Sequence, residues 1–280
     1  MKPRRFVPVA LAFTSILSMV GCSDSSNNPT ASIKVVPSLG LIRNAEAQLL
    51  DINGTEIPGS SQVIGTTGTV DLTYPANWNR PLLVQVSGRP GAEYYDEAAK
   101  AFLPFQEGRL RTYLESPQSE VAVTSLTELA ATMLDSQLTI DSAQIRESME
   151  TIRQALAPSL SDITQPPLLV GNISDLQQAA DEMPSRHAAV LAALAEMGYG
   201  QETPALTMIF QLRQDFLDGV MDGMFQGAPI EGLSYSIASF EEVFSQALAI
   251  ALQGSTMTHQ SFGTRNLDRM TSIQGQMPSQ

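Results

Sequence analysis

The apolar and polar positions divide the chain into a strand-like part followed by a helix-like part. Loosely alternating segments at residues 41–50, 70–74, 82–86 and 109–114 are separated by turn residues. Asn53-Gly54, after the first segment, suits the positive φ angles of a tight hairpin turn. Regularly spaced strands of this kind predict a small antiparallel β-sandwich over residues 33–116.

After residue 120 the apolar period changes to that of a helix. Leu126, Leu129, Ala130, Met133 and Leu134 fall at i, i+3, i+4, i+7 and i+8. Thr124 or Ser125 offers a cap, with Glu128 three residues after Ser125 as in a capping box. Further helices are predicted from Asp141 or Ser142 to Pro158, and over residues 175–182, 185–197, 205–225 and 237–253. The fold class is therefore predicted to be α+β, with an all-α domain over residues 120–253 and a disordered tail over 254–280.

The first 22 residues have a different pattern, in which Lys2, Arg4 and Arg5 precede an uncharged apolar stretch over residues 6–20. A small residue then precedes Cys22, the only cysteine of the chain. This leader resembles that of a bacterial lipoprotein precursor, although Met19 stands where leucine is usual. A permanent transmembrane helix is the alternative, but about 15 residues fall short of the roughly 20 needed to span a bilayer.

The resemblance implies that residues 1–21 are a signal peptide and that Cys22 receives fatty acyl chains such as palmitate. Two or three acyl chains hold a protein firmly to a bilayer. Residues 22–32 are polar after the cysteine and are predicted to be a flexible tether. In a Gram-negative lipoprotein, Ser23 after the cysteine, instead of Asp, favours the outer membrane over inner-membrane retention; a Gram-positive anchor is the alternative.

The formal net charge of −13 becomes −16 once the three basic residues of the leader are removed. Because affinity for phosphate backbones grows with Lys and Arg, nucleic acid is not an expected partner. If Cys22 is acylated, the chain has no thiol left to form a disulfide. No cofactor is expected either.

The strand-like part also resembles a known family. Residues 40–45, 51–54, 68–72 and 83–88 are similar to a carboxypeptidase regulatory-like domain, which has transthyretin-like topology and usually no catalytic residues. Residues 121–130 and 218–223 look like segments of uncharacterised bacterial envelope proteins, in which a similar sandwich precedes a similar helical region. This resemblance implies a type of protein and no catalytic residue.

Asp215, Asp218 and Asp222 are candidate metal ligands. On one helix they would lie within about 60° of one another, so their carboxylates could converge on Ca²⁺. The alternative is a solvated acidic face beside Gly219 and Gly223, which permit close packing.

Trp78, Tyr94 and Tyr95 are candidate ligand-binding residues, since they fall in segments predicted as loops at one end of the sandwich. Aromatic side chains beside acids suit stacking on sugar rings or docking of a peptide. The alternative is core packing, and packing is also the expected role of His187 and His259. The sequence contains none of the common motifs of catalytic serine, zinc or nucleotide sites.

These features predict a non-enzymatic interaction or ligand-binding module, lipid-anchored to the outer membrane and facing the periplasm or the cell surface. Its partner would be an envelope protein or a glycan. The alternatives are a lipid-tethered glycan hydrolase, which would use paired carboxylates, and a structural envelope component.

Overall fold

A computed structural model describes residues 29–199, 203–217, 221–233, 235–263 and 265. Ten strands come first, a group of helices follows, and a short hairpin lies among the helices. The strands are β1 (Thr30–Ser38), β2 (Ile42–Arg43), β3 (Glu46–Asp51), β4 (Gln62–Val63), β5 (Val70–Pro75), β6 (Leu82–Ser87), β7 (Glu93–Asp96), β8 (Ala101–Pro104), β9 (Arg109–Leu114), β10 (Glu120–Thr124), β11 (Met224–Phe225) and β12 (Ala228–Pro229). The helices are α1 (Ser125–Thr132), α2 (Ser142–Leu156), α3 (Ile173–Gln177), α4 (Met183–Tyr199), α5 (Ala205–Phe216), α6 (Ile237–Ala251) and a 3₁₀ turn at His259–Phe262.

The N-terminal strands form three sheets, with strand orders β10-β1-β5, β4-β3-β6-β9 and β2-β7-β8. All pairs are antiparallel except β1 with β10, which run parallel from Lys34 beside Glu120 to Ser38 beside Thr124. The turn after β3 forms as predicted. The carboxylate of Asp51 accepts the N–H groups of Asn53 and Thr55, both at 2.9 Å, and Gly54 has φ +80°. The order of strands before helices confirms the α+β class.

Residues 120–124 were placed in the helical domain by their sequence and instead belong to a sheet. Val121, Ala122 and Val123 are fully buried in β10, and the Thr112 hydroxyl of β9 donates to the Ala122 carbonyl at 2.7 Å. Helix α1 follows β10 directly and packs on β9. One continuous apolar core therefore joins the strands to the helices.

The helix boundaries agree with the sequence in some places and differ in others. Helix α2 begins as predicted, because Asp141 and Gln144 cap each other's backbone N–H groups at 2.9 Å. Helix α1 is capped by Thr124 with Thr127, and not by Ser125 with Glu128. Helix α5 ends at Phe216, well before the predicted residue 225. A hairpin with Gly227 at φ +80° occupies part of the remaining segment.

The predicted disordered tail also begins with packed residues. Met257 and Phe262 are buried, and the Arg265 guanidinium lies 4.3 Å from the centre of the Phe244 ring on α6. The segment from 254 to 263 therefore packs back onto the helical region, and Arg265 contacts α6. Within the described ranges, no helix has the length and apolar character needed to cross a bilayer.

Candidate functional site

A groove of about 470 Å³ lies between the end of β9, helix α2 and the loop over residues 161–164. Its floor is formed by apolar residues that are nearly fully buried, so the groove exposes more polar than apolar surface. The floor residues are Tyr113, Leu114, Ile145, Met149 and Ile163. A cavity of this size holds a small ligand or a few residues of a peptide.

The rim of the groove carries paired charges. Arg146 is 68% exposed and its Nε donates to Glu115 Oε1 at 3.0 Å. Arg153 Nε donates to Glu150 Oε2 at 2.7 Å on the same helix. The Arg146 pair is exposed and screened by solvent, so a ligand carboxylate can replace Glu115 at little cost. Arg153 is mostly buried and also holds the wall of the groove.

The loop that forms one wall is held on both sides. Arg153 Nη1 donates to the Leu160 carbonyl at 2.9 Å, which fixes the loop to α2. The Ala122 N–H of β10 donates to the Thr164 carbonyl at 2.8 Å. Asp162 closes the turn by accepting the Thr164 N–H at 2.7 Å. The groove is therefore a rigid feature of the fold, and binding there would not require the wall to be ordered first.

Near this end of the helical region lies a buried ion cluster that the sequence analysis did not find. Arg111 of β9 donates to Glu128 Oε1 at 2.9 Å and to Asp135 Oδ1 at 2.6 Å. Arg213 of α5 lies 3.1 Å from the same Glu128 oxygen. Burial raises the pKa of Glu128, and the two guanidinium groups oppose that shift. The cluster joins β9, α1 and α5 through charge-assisted hydrogen bonds.

The structure describes two of the three aspartates predicted as calcium ligands, Asp215 and Asp222. Because α5 ends at Phe216, Asp215 and Asp222 do not share a helix face, and Asp218 lies outside the described residues. Asp215 is buried and accepts the Tyr235 hydroxyl at 2.6 Å and the Gly223 N–H at 3.0 Å. Burial raises its pKa to about 6.

The carboxylate of Asp215 therefore holds Gly223 and Tyr235, which follow α5 in the chain, against the end of that helix. Among the described residues, no group of three or more His, Cys, Asp or Glu side chains is arranged to hold a metal ion.

The predicted aromatic site is also divided. Tyr94 and Tyr95 lie in β7 and are only 1% and 5% exposed, so they are core residues and not loop residues that face a ligand. Tyr94 packs edge-on against Phe105 at 6.2 Å between ring centres. Trp78 does lie in a turn, between β5 and β6, where the Arg80 guanidinium stacks over its ring at 4.1 Å. The alternative of core packing is the correct one for the two tyrosines.

Tyr94 takes part in a buried polar contact that the sequence did not reveal. Helix α5 has no cap from its own N-terminal residue, Pro204. Instead the carboxylate of Asp96, at the end of β7, accepts the Ala205 N–H at 2.9 Å and the Tyr94 hydroxyl at 3.3 Å. A carboxylate at a helix N-terminus is favoured by both the free N–H groups and the helix dipole. The contact fixes the start of α5 to the sheet.

Two further titratable side chains are buried. His187 is 2% exposed, its Nδ1 lies 3.0 Å from the Gln165 carbonyl, and burial lowers its pKa to about 4. It packs as a neutral imidazole, in line with the expected role. Burial, together with the neighbouring charges of Asp96 and Glu196, raises the pKa of Glu97 to about 8.

Comparison of the chain with protein-family models, with curated proteins and with solved structures gives no match in any of the three. The resemblances to bacterial lipoproteins and to carboxypeptidase regulatory-like domains therefore stay predictions. Cys22 and residues 1–28 lie outside the described residues.

Proposed function

We propose that the chain is a lipid-anchored envelope protein that works as a non-enzymatic binding module, and that its ligand occupies the groove between β9 and α2. The groove carries the proposal, because it combines a largely polar surface with an exposed ion pair on the rim and a wall held by hydrogen bonds. These features suit a short segment of an envelope protein that presents polar and charged side chains.

The buried carboxylates support a role without chemistry. Glu128 is held by Arg111 and Arg213, Asp215 by Tyr235 and the backbone, and Asp96 by α5. Each of these three acids has a structural partner that accounts for its burial; the burial of Glu97 beside Asp96 is not explained in this way. An interior whose carboxylates are mostly paired is typical of a scaffold that presents a binding surface.

The location rests on the leader, on Cys22 as the acylation site and on Ser23, which favours the outer membrane. We also propose that the strand-rich part is a β-sandwich of the carboxypeptidase regulatory-like type. Ile33 and Leu72 from the sheet of β1 and β5 share the core with Leu49 and Val84 from the sheet of β3 and β6. Buried residues contributed by two sheets to one core are expected of such a fold, although β1 also pairs in parallel with β10.

The binding proposal is tested by photo-crosslinking in cells, with a photoreactive residue in place of Gln118 on the rim of the groove. We expect one main crosslinked species. Arg146→Glu should reduce it at least about fivefold, the equivalent of about 1 kcal/mol of binding. Arg89→Glu makes the same charge change at an exposed position that does not line the groove, and should leave it unchanged.

Equal loss in both variants, or crosslinking that neither variant alters, would contradict binding in the groove. Turnover of a glycan by the purified protein, abolished by a single carboxylate substitution, would instead favour the hydrolase alternative.

A further inference from the structure

The turn between β5 and β6 lies where the described chain begins. The Ala76 N–H of this turn donates to the Pro29 carbonyl at 2.9 Å. Thr30, the next residue, pairs with Pro75 at the end of β5. If the chain is anchored on the N-terminal side of Pro29, this end of the described molecule therefore lies nearest to the anchor.

The turn exposes an amphipathic pair of side chains. Trp78 is half-buried, and its indole N–H donates to the Arg80 carbonyl at 3.0 Å. Its ring face is covered by the exposed guanidinium of Arg80. Asn77 and Asn79 beside them are exposed. The indole N–H is thus satisfied within the turn. Part of the ring packs on the core and part lies under Arg80, and the remainder is exposed to a surface that is apolar below and polar above.

Tryptophan and arginine are the residues that prefer such a layered environment. The amphipathic indole ring sits at the headgroup level of bilayers, and arginine places its stem in apolar surroundings while its charge meets phosphate or water. A sugar surface would also suit an aromatic ring, but it would not explain why the ring lies beside the tether.

The length of the tether decides between these surfaces. Pro29 is seven residues after Cys22, and seven residues span at most about 25 Å when fully extended. Residues 30–32, predicted as part of the tether, belong to β1 instead. If Cys22 is acylated, the turn therefore lies within about 25 Å of the headgroups, near enough to contact them.

We infer that the turn over residues 76–81 contacts the headgroup layer of the bilayer, with Trp78 as its apolar contact and Arg80 as its phosphate ligand. This inference rests on the lipid anchor of the proposed function. The chain is acidic, with a net charge of −13, so attraction to anionic lipids does not drive the contact. The expected surface is a zwitterionic bilayer, held within reach by the tether.

The sequence provides its own probes for a test, because Trp78 is the only tryptophan and Cys22 the only cysteine. Residues 22–280, purified without the leader, are coupled through Cys22 to a maleimide lipid in phosphatidylcholine vesicles. Trp78 emission is then measured with and without bromine on the upper part of the acyl chains. We expect a shift to shorter wavelength and at least about a twofold loss of emission on the brominated vesicles, as for a ring at the headgroup boundary.

Two variants separate a specific contact from general proximity. Arg80→Glu should reduce the quenching, because a carboxylate is repelled by lipid phosphate. The double variant Trp78→Phe with Tyr199→Trp moves the probe to the last residue of α4, which is 54% exposed, and should show no quenching. Equal quenching of both probes, or none in the coupled protein with Trp78, would overturn the inference.

The anchor is examined separately by mass spectrometry of protein extracted from cell membranes. Unmodified Cys22 in that protein would contradict the proposed anchor even if the coupled protein showed quenching. An acylated Cys22 together with unquenched Trp78 would preserve the anchor and overturn the contact.

Discussion

Glu128 and Asp215 are both fully buried carboxylates, and the protein accommodates them in opposite ways. Glu128 lies between two guanidinium groups, so its charge is balanced within a cluster that joins β9, α1 and α5. Asp215 is held by a hydroxyl and two backbone N–H groups, which stabilise charge without neutralising it. The first arrangement depends on partner charges, and the second depends on hydrogen bonds whose value changes when the carboxyl is protonated.

Arg111→Leu should cause the largest loss of stability. This change leaves Glu128 buried with Arg213 alone, and removing one partner of a buried pair costs about 3–5 kcal/mol. We expect a loss of that size in the free energy of unfolding, measured by urea denaturation at pH 7. The double change Arg111→Leu with Glu128→Leu removes the unpaired charge and should recover a large part of the loss. A single variant as stable as the native protein would show that the cluster is not needed.

Tyr235→Phe should have a smaller effect at the second carboxylate. It removes one hydrogen bond to a charged acceptor, worth about 1.5–3 kcal/mol, and leaves the ring packed against Phe240. The same urea measurement at pH 7 gives the loss. Tyr199→Phe, a change at an exposed tyrosine, serves as the control and should alter stability by less than about 0.5 kcal/mol.

The stability contributed by Asp215 should also depend on pH. Burial raises the folded pKa of Asp215 from 3.8 to about 6, so the folded state binds this proton more tightly than the unfolded state. Its contribution to stability is therefore present in full below pH 3.8 and is lost as the pH rises through about 6.

The Tyr235 hydrogen bond favours the charged form, so the cost of Tyr235→Phe should decrease by on the order of 1 kcal/mol between pH 7 and pH 4. Urea denaturation of both proteins across this range is the measurement. A cost independent of pH would contradict the assignment of that proton to Asp215.

The smallest effect on stability is expected at the rim of the groove. Arg146→Glu breaks an exposed pair with Glu115 and should change the free energy of unfolding by less than about 1 kcal/mol. Thermal denaturation checks this directly. A large loss of stability would mean that reduced crosslinking in this variant reports unfolding and not binding.

The sequence was sufficient where a local signal decides the structure. Asp141 with Gln144 caps α2, and Asn53-Gly54 closes the turn after β3, because both contacts lie within four residues. It failed for Glu128 because every residue of α1 is buried, so no polar face exists to show which side chains point inward. The partners of Glu128 are also at least 17 residues away in sequence. They lie in other elements, and the apolar periodicity of the sequence does not show how those elements pack together.

The candidate site was missed for a similar reason. The groove is formed by β9, α2 and a loop that only the tertiary fold brings together, and its residues carry no shared motif. Asp96 could have been suspected, since a carboxylate at the end of a strand is free to cap another element, but its partner Ala205 is 109 residues away. The aspartate cluster was predicted from helix geometry that α5 does not have past Phe216.

The pairing of β1 with β10 sets an order of folding events for a chain that is synthesised from its N-terminus. Lys34 pairs with Glu120, 86 residues later, so β1 cannot gain its parallel neighbour until most of the strand-rich part has been made. Until then one edge of β1 is open, and open edges can pair with other chains. Completion of the sheet around β1 is thus expected to be a late and slow step, during which the open edge is most exposed to aggregation.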